Sequence, residues 1–214
     1  MSILKTLSKV LMALVVALPV ASCYVPDKFG SEIRITKSGG YGISFNGELT
    51  WAPLFGQIAR GEIEAEAAAE QIAGFLAALK SDSNFDFVAS LGKGRYQVRY
   101  DRRGQIDRTQ MISFVRRNAR IFQIRANKDG KVSFFGTGAG SSQADQLDAM
   151  GLKTDGLLRI VTDAPVLTHN AMSVRPSPMP GYTMYDWKMT SFRQKAPKLT
   201  LQLDGPLATT GPGA

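Results

Sequence analysis

Cysteine is almost missing from this chain: one residue in 214, Cys23, so no intrachain disulfide framework can form. Histidine is equally scarce. His169 stands alone, which excludes a multi-histidine metal centre, and no second cysteine exists to build a Cys/His site. Acidic residues are absent before Asp27, whereas Lys5 and Lys9 punctuate the first turns of sequence. No apolar run reaches the length of a membrane span; Val10 to Leu18, broken by Pro19, is too short to cross a bilayer as a helix. A G-x-S-x-G nucleophile elbow is missing, and Asp145, Asp148 and Asp155 lack EF-hand spacing.

What the N-terminus does contain is a basic start, a short apolar stretch and small residues, the pattern of a secretory signal peptide. It ends in Val20-Ala21-Ser22-Cys23. That tetrad resembles the lipobox of bacterial lipoprotein precursors, in which an aliphatic residue and two small ones precede a cysteine whose thiol accepts diacylglycerol. The resemblance implies cleavage before Cys23, lipidation of Cys23 and a membrane-lipid partner through it, in the cell envelope and facing the periplasm. More than one acyl chain would make such an anchor stable. Tyr24 in place of aspartate favours the outer membrane by analogy with enterobacterial sorting.

Removing residues 1–22 leaves 192, enough for one domain. Its charge is unevenly spread. Between Lys93 and Lys131 stand twelve Lys/Arg against Asp101, Asp107 and Asp129, a segment of +9 in a mature chain of +6. Such a segment suits anionic lipid or glycolipid headgroups; a solvated sheet face that keeps the protein soluble is the plainer alternative. Nucleic acid, the usual partner of a basic stripe, is excluded by the exported address.

Periodicity supplies the elements. Residues 31–51 alternate around Gly39-Gly40 and predict a β-hairpin closed by Trp51 and Pro53. Ala65, Ala68, Ala69, Ile72, Phe75, Leu76 and Leu79 mark one stripe of an amphipathic helix, with Glu62, Glu64 and Glu66 at its start and Lys80 at its end. From Phe85 the period becomes two. Tyr96, Val98 and Tyr100 share a face opposite Arg95, Gln97 and Arg99, and strands follow at Met111 to Arg116, Ile121 to Arg125 and, after a turn at Asn127 to Gly130, Val132 to Phe135. Read as one antiparallel meander, these strands line up Arg95, Arg99, Arg116, Arg117, Arg120 and Arg125 as a candidate ligand-binding row.

Gly136-Thr137-Gly138-Ala139-Gly140, between a strand and a helix from Ser142 to Met150, imitates a dinucleotide-binding loop. Ser141 occupies the last glycine position of that fingerprint and the unit lies outside any alternating β/α series, so a capped loop is the reading and no cofactor is expected. Asp163 or Asp186 with His169 and a serine would be needed for a hydrolase; a loop histidine bonded to backbone is the simpler account.

The closing residues carry a second resemblance. Gly156 to Asp163, then Val166-Leu167-Thr168-His169-Asn170-Ala171, then Tyr185-Asp186-Trp187-Lys188-Met189 resemble the end of LppM-like envelope lipoproteins: a strand, a His-Asn-Ala turn and an aromatic-Trp strand. The Pro-rich insert Arg175 to Pro180 departs from that pattern. The resemblance implies a lipid- or glycolipid-associated domain without catalysis. From the residues themselves, Asn170 suits a left-handed turn, Trp187 a core or rim position, and Leu199, Leu201 and Leu203 a last strand.

The combined expectation is an α+β protein: signal peptide 1–22, lipid-anchored linker 23–30, one domain over 31–204 with a single main helix on a curved antiparallel sheet, and a flexible tail 205–214. Its expected role is non-enzymatic, binding anionic lipid or glycoconjugate through the basic face and an apolar groove between helix and sheet. An envelope assembly protein with a protein partner is the alternative, and a hydrolase around His169 a third.

Overall fold

The computed structural model describes residues 24–116 and 119–208. Residues 1–23, which include the expected signal peptide and Cys23, together with Arg117, Asn118 and residues 209–214, lie outside that range.

Two sheets facing each other form the molecule. The larger carries β1 (Tyr24–Ile35), β2 (Gly40–Trp51), β3 (Phe85–Gly92), β4 (Arg95–Gln105), β8 (Gly156–Thr162), β10 (Ser173–Pro176) and β11 (Thr183–Met189), in the order β10-β11-β8-β1-β2-β4-β3. The smaller runs β5-β6-β7-β12-β9, from β5 (Gln110–Arg116), β6 (Ala119–Ala126), β7 (Lys131–Gly136), β9 (Val166–His169) and β12 (Lys198–Gln202). Among the described strands β1 and β8 pair in parallel and the other strand pairs are antiparallel. Three helices complete the described residues: α1 (Ala52–Ala59), α2 (Ala65–Lys80) and α3 (Ser141–Ala149).

The expected α+β architecture is therefore wrong: the protein is mostly β, with short helices at its margins. The physical reason lies in what each element can bury. Much of the stripe of α2 is alanine, and only Ala68 and Leu79 of that helix are buried, with Ile72, Phe75 and Leu76 partly so. Alanine removes little apolar area from water. Aromatic rings on the sheets remove far more, and they meet between the sheets: Phe45 and Tyr100 of the larger sheet lie 4.9 and 4.8 Å from Phe114 of the smaller, and Phe134 lies 6.3 Å from Trp187. Within the smaller sheet Phe114, Phe122 and Phe134 form a ladder at 5.2 and 5.5 Å. Each sheet buries its apolar face on the other, as layered β architectures require.

Several local expectations hold. The β1–β2 hairpin turns at Gly39, whose φ of +90° glycine adopts without penalty. The turn after β6 closes as expected, Gly130 donating its N–H to the Asn127 carbonyl. Others are corrected. Residues 24–30 are not a linker: they open β1, and Tyr24 and Val25 are buried. Residues 205–208 of the expected tail are tied to the body, because Leu207 N–H donates to the Lys128 carbonyl and Ala208 bridges Arg108. Trp51 and Pro53 do not simply close the hairpin; the proline starts α1.

Candidate functional site

Between the sheets, residues of β1, β2 and β8 on one side and of β6 on the other border a cavity of about 90 Å³, smaller than the roughly 300–1,000 Å³ of small-molecule sites. Its walls are apolar. Tyr24, Val25, Phe29 and Phe45 come from the hairpin and Leu158 from β8, while Ile121 and Phe122 face them from β6. Leu147 of α3, Met189 at the end of β11 and Phe192 after it complete the lining.

Phe29 is the wall residue with the clearest sequence cause. A bulge between Asp27 and Gly30, with Lys28 at φ +45°, turns the Phe29 ring across the neighbouring strands. The ring lies over Gly156 on β8, where a Cβ would collide with it, while a Cβ at Gly47 on β2 would collide with the Phe29 Cα and Cβ. The ring then stacks on Phe45 at 5.5 Å.

The lining from α3 and the loop after β11 is pinned rather than loose. Gln194 accepts the N–H groups of Thr190 and Ser191 at 2.6 and 3.0 Å and donates to the Lys188 carbonyl at 3.1 Å. Arg193 reaches over to Asp145 and Asp148 on α3, whose carboxylates raise the guanidinium pKa through hydrogen bonds. Gly136 donates its N–H to the Pro197 carbonyl at 2.8 Å, tying the end of β7 to the same loop.

One cation lines the mouth. Arg120 on β6 is exposed, donates from Nη1 to Gln123 Oε1 at 2.9 Å, and accepts at its backbone carbonyl from Thr137 Oγ1 at 2.7 Å. The lining combines mostly apolar side chains with a few polar ones and a single guanidinium.

The expected arginine row does not exist as one surface. Arg95 and Arg99 sit on the outer face of the larger sheet, with Arg99 5.9 Å over the Phe87 ring. Arg116, Arg120 and Arg125 belong to β5 and β6 of the smaller sheet, where Arg125 registers with Met111 and Ser133. The chain changes sheets between β4 and β5, so the meander inferred from continuous alternation is two ribbons on opposite layers. Among the described residues of that row, Arg120 alone lines the cavity. The groove expected between helix and sheet is instead between the sheets. Nothing in the spacing of Phe29, Leu158 and Phe192 announces it; the bulge and the small residues beneath Phe29 are the only sequence traces.

The glycine loop before α3 does not form a βαβ unit, since β7 and β8 lie in different sheets. His169 Nδ1 accepts the Ala171 N–H at 3.2 Å and its ring stands edge-on to Tyr185 at 5.1 Å. Asp163 accepts the Lys37 N–H, and Asp186 is held by Arg159 and Arg175. Asn170 works through its side chain rather than a left-handed backbone: it accepts from Trp187 Nε1 at 2.9 Å and the Lys198 N–H at 2.7 Å, and donates to the Ala196 carbonyl at 2.9 Å. That amide joins the two sheets at the turn. Among the described residues no group of three or more His, Cys, Asp and Glu could hold a metal, and no helix is long and apolar enough to cross a membrane.

No protein-family profile matches the chain, and no curated protein matches it. By structure it is similar to the folded domain of LppM from Mycobacterium tuberculosis, solved by NMR, at a TM-score of 0.40 and 9% sequence identity, over 85% of this chain and 92% of that one.

Proposed function

We propose that this chain is a non-enzymatic lipoprotein of the cell envelope that takes the acyl part of an anionic lipid or glycolipid into the cavity between its sheets, with Arg120 beside the head. The observation that carries the reading is the cavity itself: apolar walls from both sheets and one guanidinium at the mouth. The lipobox adds an address. An acylated Cys23 joined directly to β1 would hold this end of the sandwich at the membrane, because no linker intervenes before the buried Tyr24.

The test is binding of a fluorescent fatty acid by the full chain with Cys23→Ser. Saturable binding that is lost when Met189→Trp fills the cavity is expected. Absent binding, or binding unchanged by Met189→Trp, overturns the reading. Palmitate labelling and mass spectrometry of Cys23 test the anchor separately.

A protein-binding role has its own supporting observation. β9 and β10 each end a sheet and expose Leu167 and Val174, with Met172 exposed just before β10, an apolar edge of the kind that pairs with another chain. A stable envelope partner lost on Val174→Lys would favour it.

A further inference from the structure

The side of the larger sheet turned away from the smaller one carries a trough of about 420 Å³, within the roughly 300–1,000 Å³ of small-molecule sites. Strand register builds it. Arg34 of β1, Gly42 of β2 and Arg103 of β4 lie side by side on one rung, and Glu32, Ser44 and Asp101 on the next. Each guanidinium is tied to the carboxylate two residues before it, Arg34 Nη2 to Glu32 Oε1 at 2.9 Å and Arg103 Nε to Asp101 Oδ1 at 3.3 Å. The two walls are therefore ion pairs on strands about 9.6 Å apart, two strand spacings. Between them lie only the backbone of Gly42 and the Ser44 side chain.

Gly42 is the residue that the fold leaves without a cause. A glycine inside a strand costs stability, and it marks a bulge or a close approach by another group. Both registers run through Gly42 without a shift at that point, its φ lies outside the left-handed region, and a Cβ there would meet nothing within 4 Å. Gly104, by contrast, lies under the Tyr41 ring. Among the described residues nothing of the chain itself uses the space over Gly42.

The geometry points to a binding site for a neutral carbohydrate chain, with a sugar ring over Gly42 and its hydroxyls bonded to the two ion pairs. Charge decides the ligand class. The four ionised groups sum to zero, and exposed pairs of this kind add little stability of their own. A guanidinium offers only donors and a carboxylate only acceptors, whereas a hydroxyl is both. Two neighbouring hydroxyls can therefore bridge one arginine–carboxylate pair without separating it. A phosphate or carboxylate ligand would instead come against Glu32 or Asp101, where like charges repel. The site is separate from the cavity between the sheets and does not depend on what that cavity holds.

The experiment titrates the full chain with Cys23→Ser, followed by amide NMR, with neutral pentasaccharides of glucose, mannose, galactose and N-acetylglucosamine, and with pentagalacturonate as the anionic control. At least one neutral sugar is expected to bind with a Kd of about 1 mM or below, to shift the amides of Gly42, Ser44 and Asp101, and to keep its affinity at about 0.5 M salt. Gly42→Val suits a strand and fills the floor; it should keep or raise the melting temperature and weaken binding about tenfold or more. Arg103→Gln, at an exposed side chain, should weaken it about tenfold. No neutral sugar bound, binding that galacturonate alone shows, or shifts confined to the residues around Phe29 and Phe122 overturns the site. Affinity unchanged in both variants overturns it too, and Arg103→Gln decides alone if Gly42→Val fails to fold.

Discussion

Phe45 of β2 and Phe114 of β5 meet ring to ring at 4.9 Å, and the contact joins two sheets rather than two strands of one. Phe114 also touches Tyr100 and Phe122 at 4.8 and 5.2 Å and is fully buried. Truncating it opens a void that these three rings border and the strand backbones cannot close. Phe114→Ala is expected to cost about 3–5 kcal/mol, read as a lower urea midpoint with an unchanged slope. By contrast Phe75→Ala, on the peripheral α2, should cost less than half as much; equal losses would mean that the helix shares the main core after all.

Asp186 holds two guanidiniums, Arg159 at 2.8 Å and Arg175 at 2.8 Å, across three strands of the larger sheet. Burial alone would push its carboxyl up, but the hydrogen bonds and charges of the arginines bring it below the usual 3.8. The folded state thus prefers the ionised form. Its contribution is complete above the ordinary carboxylate pKa and is lost as pH falls through the lower folded value. Asp186→Asn is expected to cost about 2 kcal/mol at pH 7, and thermal melts of the two proteins should converge on acidification below pH 3.8. A constant gap across that range would sink this assignment.

Individual strands were legible in the sequence because a two-residue period and a turn signal are local. Tyr96, Val98 and Tyr100 on one face, and the turn at Asn127 to Gly130, read correctly for that reason. Their assembly was not legible. After Gln105 the residues keep alternating while the chain crosses from one layer to the other, and no local pattern records that change of sheet. Alternation alone made Arg99 and Arg125 look like neighbours. The helix was overvalued for a related reason: the stripe of α2 has the right spacing, yet its alanines lack the volume of Phe114, Phe122 and Phe134. The cavity depends on β1, β6, β8 and the loop after β11 at once, and contacts so far apart in sequence leave no period to read.

Tyr96 sits fully buried against α2, its hydroxyl donating to the Ile72 carbonyl at 3.2 Å. Burial disfavours the phenolate and pushes its pKa up to about 12 from 10.0. A raised pKa means stability that is present below pH 10 and declines as pH rises toward the folded value. Tyr96→Phe should cost about 1 kcal/mol at neutral pH through the missing hydrogen bond, and should flatten the alkaline fall between pH 10 and 12. Urea titrations at pH 8, 10 and 11 measure both effects; an equally steep fall in the variant would assign it to another group.

Arg120 and Arg99 make the sharpest comparison, since a single basic face would make them equivalent and the two-sheet fold does not. Arg120 lines the cavity mouth, whereas Arg99 lies over Phe87 on the outer face of the other sheet. A cation beside an anionic head contributes about 1 kcal/mol, or roughly fivefold in affinity. Arg120→Gln should therefore weaken binding of a fluorescent fatty acid about fivefold at low salt, leave a neutral acylglycerol probe unchanged, and lose its effect as salt screens the pair. Arg99→Gln should alter neither probe. If both substitutions weaken the anionic probe alike, the charge acts as a diffuse field over the whole surface and Arg120 has no special place at the mouth.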